Sequence, residues 1–168
     1  MRTPRRYCRG FRPLREQLSN IVMGLTGVSD DLQEISRGIH PAILSRGGLG
    51  PALKTLARRS AVPVELRVGI DRRLPESAEV AAYYVVAEAL TNAAKYAQAS
   101  EVTVGVGADD ANLRLSITDD GVGGADPHKG SGLIGLIDRV EALGGKLRIS
   151  SVVGSGTSLL AMIPYDGP

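Results

Sequence analysis

Residues 115–124 run Leu-Ser-Ile-Thr into Asp119-Asp120-Gly121-Val122-Gly123-Gly124, and residues 130–136 follow with Gly130-Ser131-Gly132-Leu133-Ile134-Gly135-Leu136. A strand thus delivers a carboxylate into one glycine turn, and a second glycine turn opens a helix. Glycine lets backbone approach a flat base or a bulky phosphate closely and accepts positive φ at little cost. A helix start also turns free amides toward an anion. Either half alone is an ordinary turn; together, in this order, they have the layout of a nucleotide pocket. Asp119, leaving its strand at the pocket entrance, would accept from an exocyclic amine. Adenine offers that donor where guanine offers a carbonyl, so the carboxylate favours ATP by leaving a buried charge unpaired in the wrong complex.

Upstream, Glu88, Asn92 and Lys95 stand at i, i+4 and i+7 of an alanine-rich stretch and so share one helical face. Most such rows are solvated stripes of surface helices. Beside the glycine turns, this one suits a nucleoside triphosphate. The Asn92 carboxamide oxygen would be the single protein ligand of a Mg²⁺ that keeps most of its waters, Lys95 would meet a phosphate oxygen, and Glu88 would serve as base.

The elements that position these groups follow from periodicity. Leu14, Leu18, Ile21, Val22, Leu25, Val28, Leu32, Ile35 and Ile39 recur at spacings of three and four, a continuous apolar seam that wants a partner helix. Gly24 and Gly27 weaken it by about 1 kcal/mol each relative to Ala, and Pro41 ends it. A short helix is expected from about Pro51 to Arg59, a strand over Val62 to Ile70, and a long helix from Glu76 to about Ala97. Strands over Glu101 to Val106 and Leu113 to Thr118 are joined by a polar turn. A helix over Leu133 to Leu143 stops at Gly144-Gly145, and a hairpin of Lys146 to Val153 with Thr157 to Ile163 turns at Gly154-Ser155-Gly156. The expected class is α+β, a two-layer α/β sandwich in which helices cover one face of a mixed sheet of about five strands, preceded by one long amphipathic helix.

Bulk properties set outer bounds. The 168 residues suffice for one well-buried domain and an appendage. With 4% aromatic residues and no Trp, the core must be aliphatic. The net charge of +2 conceals an asymmetry, because six arginines from Arg2 to Arg15 precede the first acidic residue, Glu16. The body is therefore acidic and residues 1–13 read as a disordered basic arm. Cys8 is the single cysteine, which rules out an intrachain disulfide and a cysteine metal cluster. No apolar run of about 18 residues could span a bilayer, and there is no signal-peptide pattern, so a cytoplasmic protein is expected.

The succession Glu88-Ala-Leu-Thr-Asn92-Ala-Ala-Lys95-Tyr96, Asp119-Asp-Gly121-Val-Gly123, Gly130-Ser-Gly132-Leu-Ile-Gly135 and Gly154-Ser-Gly156-Thr157 resembles the N, G1 and G2 boxes and terminal Gly-Thr of the GHKL ATPases, whose fold is the Bergerat sandwich. Within them it is similar to sensor histidine kinases of the NarL-regulator type. Ile35 to Leu44 and Gly48 to Leu53 look like that subfamily's junction between dimerisation helix and ATPase domain. The resemblance implies a dimerisation-type helix over 14–40 and an ATP-binding domain over 48–165. It implies ATP and Mg²⁺ as cofactors, with Asn92 on the metal, Glu88 at or near the general base, Lys95 on phosphate and Asp119 reading adenine. Gly121 and Gly123 would shape the base pocket, and Gly130, Ser131, Gly132, Leu133 and Gly135 the phosphate loop. Thr157 would close a water-mediated contact, and residues 125–129 would be a short lid. Tyr96 stands where the family often has His; it could still stack or donate.

The family phosphorylates a histidine followed by an acidic residue, and the sequence offers only His40, before Pro41, and His128, in the lid. The expected acceptor is therefore a histidine on a separate helical-bundle protein, docked through residues 14–40, which then feeds a response regulator. A homo-oligomer through the same seam is also compatible; nucleic acid is not expected. Two rival readings use the same boxes: a free-standing serine kinase of the anti-sigma-factor type, and a non-catalytic module that binds ATP or a partner.

Overall fold

The structure, a computed structural model, describes residues 42–126 and 131–165. The basic arm, the 14–40 seam, His40, His128, Gly130 and most of the expected lid lie outside those residues, and of Ser131 only the backbone is described. In chain order the elements are α1 (Ala42–Gly47), α2 (Leu49–Arg59), β1 (Val64–Gly69), α3 (Glu76–Asn92), a π-helical turn (Ala93–Ala97), β2 (Val102–Ala108), β3 (Asn112–Asp119), α4 (Ser131–Glu141), β4 (Lys146–Ser151) and β5 (Thr157–Pro164).

Strict alternation builds the sheet. Leu113, Leu115 and Ile117 of β3 are buried, while Arg114, Ser116 and Thr118 between them face water. Val102, Val104 and Val106 of β2 and Leu159, Ala161 and Ile163 of β5 join the same buried face. The sheet runs β1-β2-β3-β5-β4, with β1 parallel to β2 and every other pair antiparallel. A parallel pair needs a crossover, and α3 supplies it. Ala78, Ala81, Ala82, Val85 and Ala89 on α3 are buried, so small side chains bring this helix close to the strands. The result is the expected mixed five-stranded sheet with helices on one face and an aliphatic core.

Glu79 is the exception in that core. Buried in the first turns of α3, it accepts two hydrogen bonds from Arg73, at 3.2 and 3.0 Å, and one from the Leu74 amide at 3.1 Å. Burial of the charge is compensated by these three donors, which fix the loop entering α3.

Several boundaries differ from the sequence expectation for identifiable reasons. Six residues between Pro41 and the Gly47-Gly48 turn form α1, too short for a periodic signal, yet Leu44 is fully buried in the common core. The packed unit therefore reaches upstream of residue 48. Gly48, at φ +75°, separates α1 from α2, which begins two residues before Pro51. The long helix does not stay α-helical to Ala97: its last five residues widen into the π-helical turn, closed by Gln98 in the left-handed region at φ +51°. The strand expected to reach Val153 ends at Ser151, because the Gly154 amide donates to the Val122 carbonyl at 2.7 Å instead of continuing a ladder. α4 starts two residues earlier than Leu133. It ends at Glu141, two residues before the expected Leu143, and is capped at the expected Gly144-Gly145, where Gly144, at φ +72°, donates to Glu141 and Gly145 to Val140, the paired bonds of a Schellman motif. No helix among the described residues is long and apolar enough to cross a membrane.

Candidate functional site

Asp119 ends β3 with 8% of its surface exposed. Its Oδ1 accepts from the Gly121 amide at 2.9 Å and the Thr157 amide at 3.2 Å, so the carboxylate braces the first glycine turn against the start of β5. Both of these bonds fall on Oδ1, on one side of the group. Gly156, at φ +71°, has room for no side chain, since a Cβ there would overlap the Asp119 carbonyl. Gly123, at φ +61°, is pressed in the same way against the Val152 and Gly156 carbonyls. The glycines are thus fixed by close backbone approach as well as by φ.

The π-helical turn meets this pocket from the helical layer. The Val122 amide donates to the Ala97 carbonyl at 2.7 Å, and a Cβ on Gly121 would strike that carbonyl and lie 2.7 Å from the Ala97 side chain. The end of the Asn92–Lys95 segment is thereby tied to the Asp119 turn. A π-turn changes the angular step per residue, so Lys95 is not at the α-helical i+3 position relative to Asn92 that the sequence implies. Glu88 and Asn92 keep their α-helical spacing. Both are half-buried, Lys95 is exposed, and Tyr96 leaves 70% of its surface to solvent.

The second glycine turn closes on Glu88. A Cβ on Gly132 would overlap the Glu88 Oε1, so the carboxylate lies directly against the start of α4. Leu133 is half-buried and packs against the core. Gly135 is different: no protein atom lies within 4 Å of where its Cβ would be, and nothing in the described residues requires a glycine there. Farther along, the Arg139 guanidinium sits 4.6 Å from the centroid of the Tyr84 ring, one helical turn before Glu88, and clamps α4 to α3.

Two supporting residues escaped the sequence reading. Ser151 Oγ accepts from the Ala125 amide at 2.9 Å and lies 2.9 Å from Thr157 Oγ1, so the Thr157 hydroxyl is engaged by protein. Asp120 turns away from the pocket and accepts from the Ser100 and Glu101 amides at 2.8 and 3.1 Å and from the Ser100 hydroxyl. The Ser100 hydroxyl first, then the Glu101 and Ser100 amides, hold its carboxyl below the usual carboxylate range. No sequence signal marked the Ser151–Ala125 or Asp120–Ser100 contacts, whose partners are 26 and 20 residues apart in the chain.

The site therefore brings Asp119, Gly121, Gly123 and Thr157 together at one wall, and Glu88 and Gly132 at another, with the π-turn between. The residue types fit the groups the motifs imply: Asn92 and Glu88 offer oxygens of the kind a Mg²⁺ takes, and the close glycine contacts pack the turn around Asp119 tightly.

Residues 77–167 match the family described as histidine kinase-, DNA gyrase B-, and HSP90-like ATPases. The chain belongs to this ATPase family. Sensor histidine kinase NarS of Mycobacterium tuberculosis (strain ATCC 25618 / H37Rv) is 31% identical over 161 residues, which is 90% of this chain but 38% of NarS. The ATPase-family chain thus spans well under half of that relative. The histidine kinase domain of the blue-light activated histidine kinase EL346 of Erythrobacter litoralis is 25% identical with a TM-score of 0.52, covering 67% of this chain and 59% of that one. The ATP-binding domain of PrrB from Mycobacterium tuberculosis shares the fold, with a TM-score of 0.52 at 21% identity over 70% of this chain and 92% of that one. The family match makes the nucleotide ATP and the chain homologous to the ATP-binding part of sensor histidine kinases.

Proposed function

We propose that this chain is the ATP-binding catalytic component of a two-component signalling system. It would transfer the γ-phosphate of ATP in trans to a histidine on a separate bundle protein, which feeds a response regulator. The observation that carries the ATP half of this reading is the convergence of Glu88, from the crossover helix, on Gly132, from the second glycine turn. It sets a carboxylate beside the loop that would hold the phosphates, where a base is needed. Asp119 Oδ2 then serves the adenine amine while Oδ1 stays on the two backbone amides. Asn92 holds Mg²⁺, which would neutralise phosphate charge, and Lys95 meets phosphate. Gly121 and Gly123 shape the base pocket. Gly130, Ser131, Gly132, Leu133 and Gly135 form the phosphate loop.

The trans acceptor rests on the histidine inventory, because neither His40 nor His128 is followed by an acidic residue. Positioning supplies most of the catalysis in phosphoryl transfer, so a docked bundle is required, and residues 14–40 offer the seam. The proposed setting is the cytoplasm, where ATP is supplied. The test is incubation with Mg²⁺ and γ-labelled ATP, alone and with candidate bundle proteins. Acid-labile, base-stable label on the second chain is expected. Acid-stable label would replace the reading by a serine kinase, and ATP binding with no label on any candidate would leave a non-catalytic module.

A further inference from the structure

β1 is an edge strand, paired only with β2 among the described residues. The Val102 amide donates to the Pro63 carbonyl at 2.9 Å, which fixes the phase of this parallel pair. Backbone groups of Glu65, Arg67 and Gly69 therefore point inward to β2, and those of Val64, Leu66 and Val68 point outward. No group among the described residues hydrogen-bonds to that outward row. α2 flanks the strand without closing over it and leaves an open groove of about 930 Å³. Its floor is Val64, Leu66, Val68 and Ile70, all half-buried, and its helical wall carries Lys54 and Arg58.

The charge of the groove is one-sided. Lys54 and Arg58 stand at i and i+4, and no acidic residue lines the groove. Neither cation has an ion pair among the described residues, whereas the nearby Arg67 is occupied by Glu65 at 2.7 Å on the opposite face of the strand. An edge strand with free amides, a flanking helix and an apolar floor between them is a geometry that accepts an added strand. We propose that this groove binds an extended, acidic segment of a partner protein by strand addition to β1. Side chains of the added strand alternate between faces, so every second one would enter the groove, apolar groups over the floor and carboxylates beside Lys54 and Arg58, while those between would face water. The surface lies at the β1 edge, away from the Asp119 and Glu88 walls, so the proposal stands independently of the phosphoryl acceptor.

The probe is a capped nine-residue peptide with Ser at odd positions and Val and Glu at even ones, so that Val and Glu share one face (the Glu-Val peptide), labelled for fluorescence polarisation, with Lys-for-Glu and Gly-for-Val counterparts, against the full chain. Glu-Val is expected to bind at least tenfold more tightly than either control. Lys54→Glu with Arg58→Glu, both at exposed positions, should weaken it at least tenfold while leaving ATP affinity unchanged. Amide exchange should slow at least tenfold at Val64, Leu66 and Val68 on peptide addition, with Glu65 and Arg67 already protected. Equal binding of all three peptides, or binding that survives charge reversal, overturns the proposal. Protection of the outward amides without peptide also overturns it, assigning the edge to a second copy if it depends on concentration and to the chain's own residues if it does not. Displacement of the peptide by a single-stranded oligonucleotide would reassign the groove to nucleic acid.

Discussion

Asp119 braces its turn through Oδ1, and the role proposed for Oδ2 in reading adenine separates from this one by substitution. Asn at 119 keeps an oxygen for the Gly121 and Thr157 amides but loses the charge offered to adenine. Asp119→Asn should weaken ATP binding by about ten- to a hundredfold, the equivalent of a charge-assisted hydrogen bond. Calorimetric titration checks this, and an unchanged melting temperature confirms that the turn is intact. Gly132 gives the converse dissociation. A methyl there strikes the far end of the flexible Glu88 side chain, and Ala is the better helix former, so Gly132→Ala should leave stability unchanged or raise it by up to about 1 kcal/mol. Phosphoryl transfer, measured with γ-labelled ATP, should fall by about a hundredfold or more as the proposed base is displaced. At this scale the sequence was readable where an ordinary strand-end Asp-Gly turn stands in series with a second glycine turn and the Glu88–Asn92 row. It was silent on Ser151 and Ala97, whose roles come from neighbours far along the chain and whose types occur everywhere.

Among the elements, the turn between β3 and the first glycines is held from outside by Asp120, which ties it to residues 100–101 at the start of β2. A carboxyl held below its ordinary value of 3.8 contributes stability that is present above that value and is lost as pH falls through the lower folded value. Asp120→Ala should therefore melt lower than the parent at pH 7, and the gap should narrow below pH 3.8, where the parent's carboxylate takes up its proton. Melting curves of both proteins across that range decide it; a gap independent of pH would mean the carboxylate's charge is not what holds the turn. The long strands and helices were legible from periods of two and 3.6 because each buries a single face. The π-turn was not, since Ala93–Ala97 has nothing in its composition that forbids an ordinary α-turn. The turn ends where the Val122 amide donates to the Ala97 carbonyl, a tertiary bond that local sequence does not announce. α1 was missed because six residues hold too few periods to read.

For the whole molecule, the connection between the helical layer and the entry loop depends on one buried charge. Glu79→Ala removes three hydrogen bonds at once and leaves the Leu74 amide without its acceptor, although Arg73 can return to water through its exposed side. A loss of about 1–3 kcal/mol is expected, read as a lower denaturant midpoint at unchanged slope. The sandwich class was readable in the sequence from alternating strands and interspersed helices. The strand order was not, because hairpin spacing alone makes β4 and β5 neighbours without saying which of them meets β3. That order has a consequence in time. Among the described residues β5 is the last strand, yet it lies between β3 and β4, and β4 has no other neighbour there. As the polypeptide emerges from a ribosome, Asp119 waits for Thr157, and β4 waits unpaired, until residues 157–164 arrive. A nascent chain that already displays Glu88, Asn92 and both glycine turns thus lacks the Thr157 amide that braces Asp119, and the wall proposed for the base is complete only when β5 lies between its two predecessors.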